Sequence, residues 1–116
     1  MPVLGISYVT VWSKDLAANR HFFANVLEIP IAYEDENIVA FETGGTLLVL
    51  QRAVGADAEL DGTLQFGLSV SQMDAIVETL RQNGIQVELD REDLGLEQRV
   101  TILRLPSGQR VELVGT

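Results

Sequence analysis

An internal repeat is the feature that most constrains how this chain can fold. Residues 5–27 contain a short alternating strand, a polar helix start and an amphipathic helix, and residues 62–84 contain the same succession. Further strand-like segments follow each of these two stretches. A repeat constrains the whole architecture because every copy is expected to form the same structural unit. The sequence therefore predicts two copies of a β-α-β-β-β unit and a ligand site made jointly by both copies.

The first copy is predicted over residues 1–52. Alternation and turn residues predict its elements: a strand over 4–12, a helix that Ser13 or Asp15 caps, and strands near 30–34, 38–42 and 46–51. Five residues form the apolar stripe expected on the helix: Leu16, Phe22, Phe23, Val26 and Leu27. Residues 53–62 are small, acidic and glycine-bearing, so we interpret them as a linker.

The second copy is predicted over residues 63–116. Its predicted elements are a strand over 63–70, a helix over 72–83, and strands near 85–89, 99–104 and 109–114. Asn83 and Gly84 form a good C-terminal cap for the helix. Residues 90–98 are polar and have no counterpart in the first copy, so we expect a long loop there.

Charge and composition exclude several classes of protein. The formal net charge is −9, from 8 lysine and arginine residues against 17 aspartate and glutamate residues. Nucleic-acid binding depends on cationic side chains that replace counterions, and an acidic surface is repelled by anionic membranes. Nucleic acid and membrane are therefore not expected as partners. The chain contains no cysteine, and its beginning lacks the pattern of a signal peptide, so we expect a cytoplasmic protein.

Four features are shared with one known family: the opening VTVWSKDLAANRHFFANVL, its echo in the second half, the ending LPSGQRVELV, and the total length. By these features the chain resembles the vicinal oxygen chelate superfamily, which includes glyoxalase I, bleomycin-resistance proteins and extradiol dioxygenases. The resemblance implies an α+β fold. Its two βαβββ modules would form a curved mixed sheet, shaped as a cup, with the helices outside. It also implies a homodimer and, in many members, a divalent metal in the cup.

The family's four metal-binding positions can be carried onto this sequence one by one. They fall on Tyr8, on Val49 (or on Leu48 in the neighbouring register), on Gln65 and on Glu112. A divalent metal needs three or four converging His, Glu or Asp side chains, and this set offers one good ligand and one weak one. We therefore expect no metal and no cofactor. The only histidine, His21, is predicted to lie on the outer helix.

Glu112 is the candidate catalytic residue. Val111 and Leu113 are expected to face the helices, which turns Glu112 towards the cup, where a carboxylate needs a partner. Arg110 shares that face two residues away, and Gln65 or Tyr8 are further candidates. Two interpretations stay open: ligand recognition or proton transfer by Glu112, or a structural hydrogen-bond network.

An aromatic wall is predicted for the cup, because strand parity places Tyr8, Thr10 and Trp12 on its face. The candidate ligand-binding residues are Tyr8, Thr10, Trp12, Gln65, Arg110 and Glu112. Apolar walls with a few polar groups are typical of small-molecule pockets. The favoured function is metal-free binding of a small, partly aromatic or cationic molecule, as in bleomycin-resistance proteins. The alternative is a lyase, isomerase or dioxygenase of the glyoxalase-like group with a metal-dependent or degenerate site, so enzymatic activity stays open.

Overall fold

A computed structural model describes residues 3–116. The strands are β1 (Val3–Ser13), β2 (Ile31–Glu34), β3 (Ile38–Glu42), β4 (Leu47–Arg52), β5 (Leu64–Val70), β6 (Gln86–Gly95), β7 (Gln98–Arg104) and β8 (Arg110–Gly115). The helices are α1 (Leu16–His21), a π-helical turn (Phe22–Val26), a 3₁₀ helix (Gly55–Leu60) and α2 (Met73–Gln82). The chain forms two compact units. The first unit is Tyr8–Leu64, and the second is Gln65–Thr116 with the start of β1 up to Ser7.

The first unit is a mixed sheet with the strand order β2-β3-β4-β1. β3 runs antiparallel to β2 and to β4, whereas β1 runs parallel to β4. One face of the sheet carries the core of the unit, whose buried members are Leu16, Val39, Phe41 and Leu50. Because α1 supplies Leu16 to this core, the helix fixes which face of β1 and β4 is closed to solvent.

The helix of the first unit begins as predicted but ends differently. Asp15 is its N-cap, and the Asp15 carboxylate accepts a hydrogen bond from the backbone N–H of Ala18 at 3.0 Å. The helix then changes to π-helical geometry at Phe22. A π turn adds a residue per turn and rotates the following side chains. The predicted apolar stripe is therefore wrong in part: Phe23 packs on the core, whereas Phe22, Val26 and Leu27 are exposed.

The second unit has the strand order β5-β8-β7-β6. β8 runs parallel to β5 and antiparallel to β7, which pairs with β6 in an antiparallel hairpin. α2 covers one face of this sheet with Met73 and Val77, both almost completely buried. The strands contribute Val70, Leu103, Val111 and Leu113 to the same core. The helix lies within one residue of its predicted bounds at both ends.

The predicted loop over residues 90–98 is wrong. β6 continues to Gly95, and β7 begins at Gln98, so only Leu96 and Glu97 form the turn. The sequence pattern did not predict this part of β6 because charged residues occupy both faces of the strand. Charged side chains are common on the edge strands of sheets, where they discourage pairing with another chain. The pairing is also irregular, with register shifts after Val87, after Leu89 and after Asp93.

The predicted fold class is confirmed. Each unit is a βαβββ module with one α-helix on one face of a mixed four-stranded sheet, so the chain belongs to the α+β class. Among the helices of residues 3–116, none has the length and apolar character needed to cross a lipid bilayer.

Candidate functional site

The six predicted ligand-binding residues divide between the two units. Tyr8, Thr10 and Trp12 lie on β1 in the first unit. Gln65 on β5, with Arg110 and Glu112 on β8, belongs to the second unit. The expectation that both groups border one cavity stays a prediction.

In the first unit, strand alternation places the β1 group on the face opposite α1. Val11 packs against the core beneath α1, so Thr10 and Trp12 point to the other side of the sheet. The parallel register sets Tyr8 beside Leu47, Thr10 beside Val49, and Trp12 beside Gln51. This face therefore carries aromatic, aliphatic, hydroxyl and amide groups.

Trp12 and Thr10 are the buried members of this group, with 8% and 4% of their surfaces exposed. The backbone of Trp12 is held on both sides by the segment that follows the 3₁₀ helix. Its N–H donates to the carbonyl oxygen of Thr63 at 3.0 Å, and its carbonyl accepts from the N–H of Gly62 at 2.9 Å. The indole is therefore attached to a fixed stretch of backbone, which suits a preorganised binding surface.

In the second unit, β8 presents Arg110 and Glu112 on the face opposite α2. Val111 and Leu113 are buried in the core beneath α2, as the alternation of the sequence predicted, and the same alternation turns Arg110 and Glu112 to the other side of the sheet. Gly67 lies beside Glu112 in the parallel register of β5 and β8. Gln65, two residues before Gly67 on the same face, is 4% exposed.

Sequence analysis missed Glu88, which is the described ion-pair partner of Arg110. Arg110 Nε lies 3.2 Å from Glu88 Oε2, but the approach is not aligned as a hydrogen bond, and this buried nitrogen has no hydrogen-bond partner among the described residues. The other carboxylate oxygen of Glu88 accepts a hydrogen bond from Arg104 Nε. Two guanidinium groups therefore share one carboxylate. Strand alternation alone predicted that Arg110 shares a face of β8 with Glu112. The position of Glu88 could not be predicted in this way, because it depends on the irregular pairing of β6.

A separate network of ion pairs links α2 to the β6–β7 hairpin. The Asp74 carboxylate accepts hydrogen bonds from Arg99 Nη1 and from Arg91 Nη1, both at 3.0 Å. These bonds hold the pKa of Asp74 below its ordinary value, the bond from Arg99 being the larger cause. The pKa of Asp90 is lowered mainly by a hydrogen bond from Arg91. None of these groups belongs to the predicted site, and we interpret the network as structural.

The surface of the second unit includes two pockets that no predicted site residue lines. The larger has a volume of about 350 Å³ and lies between the end of α2 and the β7–β8 turn. The smaller has a volume of about 220 Å³ and lies along α2, beside Ile76 and Leu80.

The donor chemistry of the two sheets does not fit a divalent metal. Neither β1 nor β4 carries a histidine, aspartate or glutamate, so the first unit offers only the phenol oxygen of Tyr8 at the strand positions that the resemblance assigns to metal ligands. Within residues 3–116, no three His, Cys, Asp or Glu side chains are grouped closely enough to hold a metal ion. His21 is exposed at the end of α1. Glu112 is thus the one strong ligand type that these positions keep.

Comparison with models of protein families identifies the family to which this chain belongs. Residues 5–113 match the family model described as Glyoxalase/Bleomycin resistance protein/Dioxygenase superfamily. The chain belongs to this superfamily. The match spans both βαβββ modules, so the resemblance inferred from the opening strand, its repeat and the LPSGQRVELV ending is confirmed.

Solved structures show the same fold at low sequence identity. A glyoxalase/bleomycin resistance protein/dioxygenase superfamily member from Vibrio splendidus 12B01 is 15% identical, with a TM-score of 0.74 over 98% of this chain and 99% of that chain. Methylmalonyl-CoA epimerase from Mycobacterium tuberculosis is 20% identical, with a TM-score of 0.78 over 97% and 88% of the two chains.

A third structure is the Mn(II)-bound glyoxalase from Novosphingobium aromaticivorans, which is 20% identical with a TM-score of 0.74. The alignment covers 98% of this chain but 39% of that enzyme. At these identities the three structures show a shared fold, and the activities in their names belong to those proteins.

Proposed function

We propose that the protein binds a small, partly aromatic or cationic molecule without a metal, as a binding protein of the bleomycin-resistance type. One observation carries the proposal. The face of the first sheet opposite α1 presents Tyr8, Thr10 and Trp12 on β1, with Leu47, Val49 and Gln51 beside them on β4. Such a face combines aromatic rings with a few hydrogen-bonding groups, which are the usual components of a small-molecule pocket.

The chemistry of the site residues supports an aromatic or cationic ligand. Indole and phenol rings stack on aromatic ligands and attract cations to their faces. Glu112 adds a carboxylate, which forms strong charge-assisted hydrogen bonds with cationic donors. The net charge of −9 also raises the local concentration of cations near the protein. Gln65 and Arg110 complete the proposed ligand-binding set.

The proposed assembly is a homodimer, and the proposed location is the cytoplasm. Several large apolar side chains are exposed in each unit, among them Leu4 in the second unit and Val26 in the first, at 67% and 60%. Apolar surface of this kind favours association. Sedimentation equilibrium at micromolar concentration is expected to give twice the mass of the chain, and a monomer would contradict the dimer.

Calorimetric titration with two simple probes tests the binding proposal. Benzylammonium is aromatic and cationic, and benzyl alcohol is its neutral counterpart. Glu112→Gln should weaken benzylammonium binding about tenfold, on the scale of one charge-assisted hydrogen bond, and should leave benzyl alcohol unchanged. Trp12→Phe should weaken both probes because it reduces the stacking area.

Two control variants distinguish the loss of a ligand contact from the general effect of removing a charge or changing an aromatic side chain. Glu59→Gln removes the same charge from the exposed 3₁₀ helix, and Tyr33→Phe changes an exposed aromatic residue of the first unit. Both controls should bind the probes as the wild type does. Equal weakening by Glu112→Gln and Glu59→Gln would contradict a role for Glu112. Failure of both probes to bind the wild type would contradict the proposed ligand class.

A further inference from the structure

We propose that the pocket between the end of α2 and the β7–β8 turn is a second binding site, which takes small organic carboxylates. The lining residues are Asn83, Gly84, Ile85, Gln86, Arg104, Leu105, Pro106 and Gly108. None of these lining residues belongs to the residues of the proposed function; Arg110, which does, is involved here only through its shared partner Glu88. The volume of about 350 Å³ is within the range of small-molecule sites.

Arg104 supplies the recognition of a carboxylate. Its Nε donates to Glu88 Oε1, and its Nη1 donates to the carbonyl oxygen of Gly108 at 2.7 Å. These two bonds fix the plane of the guanidinium at the pocket wall, and they use Nε and Nη1 but not Nη2. A guanidinium held in this way is prepared for a carboxylate, because little side-chain freedom is lost on binding.

The local charge also favours an anion, although the whole chain is acidic. Glu88 is the shared partner of Arg104 and Arg110, so one negative charge faces two positive charges. The excess positive charge is poorly compensated inside this cluster, since Arg110 Nε is buried without a hydrogen bond. Glu112 lies two residues further along β8, away from the β7–β8 turn. An anion beside Arg104 would balance the cluster.

The remaining wall restricts the ligand to one with an apolar part. Ile85, Leu105 and Pro106 contribute apolar surface, and Gln86 contributes an amide. The backbone N–H groups of Gly84, Leu105 and Gly108 are already used in turn and strand hydrogen bonds. A bare inorganic anion would leave the apolar wall unfilled, whereas an aromatic or branched carboxylate would cover it and pair with Arg104.

Nuclear magnetic resonance titration of the full chain with benzoate and with benzamide tests this site. The two probes have nearly the same shape, and only benzoate carries a charge. Benzoate should shift the backbone amide signals of Gly84 and Gly108 in a saturable way, and benzamide should bind at least about tenfold more weakly. Arg104→Gln should weaken benzoate binding by a similar factor. Arg81→Gln, which removes an exposed arginine paired with Asp90, should change it less than twofold.

Three results would overturn the proposal. They are equal binding of benzoate and benzamide, equal effects of Arg104→Gln and Arg81→Gln, and the absence of saturable shifts at Gly84 and Gly108 in the wild type. Arg104→Lys keeps the charge but loses the planar fork, so it should bind benzoate with intermediate affinity. This variant and the comparison of the two probes decide the question even if Arg104→Gln fails to fold. Failure here would leave the proposed function untouched, because that proposal uses other residues and a cationic probe.

Discussion

Leu50 and Leu27 are two leucines of the first unit, one of them buried in the core and the other exposed to solvent. Leu50 on β4 is fully buried beneath α1, whereas Leu27 at the end of the π-helical turn is 52% exposed. Removing a buried leucine side chain costs the transfer free energy of its atoms and leaves a cavity. We expect Leu50→Ala to lower the free energy of unfolding by about 2–5 kcal/mol and Leu27→Ala by no more than about 0.5 kcal/mol.

Denaturant unfolding of both variants measures this difference. A similar loss of unfolding free energy for the two variants would show that Leu50 does not lie in the core of the first unit. It would also contradict the strand alternation that places Tyr8 and Trp12 on the opposite face of the sheet.

Asp74 makes the stability of the second unit dependent on pH. The hydrogen bonds from Arg99 and Arg91 lower its pKa in the folded state. A carboxyl group with a lowered pKa stabilises the fold at pH values above its unfolded pKa, which is about 4 for aspartate. That stabilisation is lost as the pH falls through the lower, folded-state pKa. We therefore expect Asp74→Asn to lower the melting temperature at pH 7 and to have little effect near pH 2.

Thermal melts of the wild type, Asp74→Asn and Asp57→Asn across this range measure the effect. Asp57 lies exposed in the 3₁₀ helix, so its variant should show no comparable change with pH. If the difference between the wild type and Asp74→Asn were constant with pH, the ion pairs would not be the cause.

At the scale of elements, the turn of the β6–β7 hairpin has an unusual composition. Leu96 and Glu97 both have positive φ angles, 53° and 62°. Two-residue turns with positive φ at both positions favour Asn-Gly, because other side chains are strained there. We expect the double substitution Leu96→Asn with Glu97→Gly to stabilise the second unit by about 1 kcal/mol.

Denaturant unfolding of the double variant tests the conformation of this turn. The exposed substitution Leu94→Asn on β6 serves as a control, since it changes an apolar side chain without entering the turn. Destabilisation by the turn variant would mean that Leu96, 97% exposed, is needed for a contact that stabilises the fold.

The second unit shows where prediction from the sequence succeeds and where it stops. Alternation placed Val111 and Leu113 in the core and turned Glu112 away from α2, because period-two patterns are strong when one face is buried. β6 has no such pattern, since its charged residues lie on an edge strand and its register shifts three times. The Glu88–Arg104–Arg110 cluster depends on that register, so the sequence could not predict it.

The whole molecule is a member of the superfamily, and the sequence analysis predicts that it lacks most of the side chains that a metal would need. The repeat and the ending of the sequence predicted the two βαβββ modules, because both modules bury one face of a sheet under one helix. The ligand cannot be predicted in the same way. Side chains on the other face can vary without loss of the fold, and the placement of Tyr8, Val49 and Gln65 at the family's metal-binding positions stays a prediction.

Titration calorimetry of the chelator-treated protein with Zn²⁺ and Mn²⁺ tests this account most directly. A phenol, an aliphatic side chain and an amide contribute little affinity for a divalent ion compared with imidazole and carboxylate ligands. We therefore predict no saturable site of micromolar or tighter affinity. One saturable site per chain that Glu112→Gln abolishes and Glu59→Gln leaves intact would contradict the account and favour a metal-dependent enzyme.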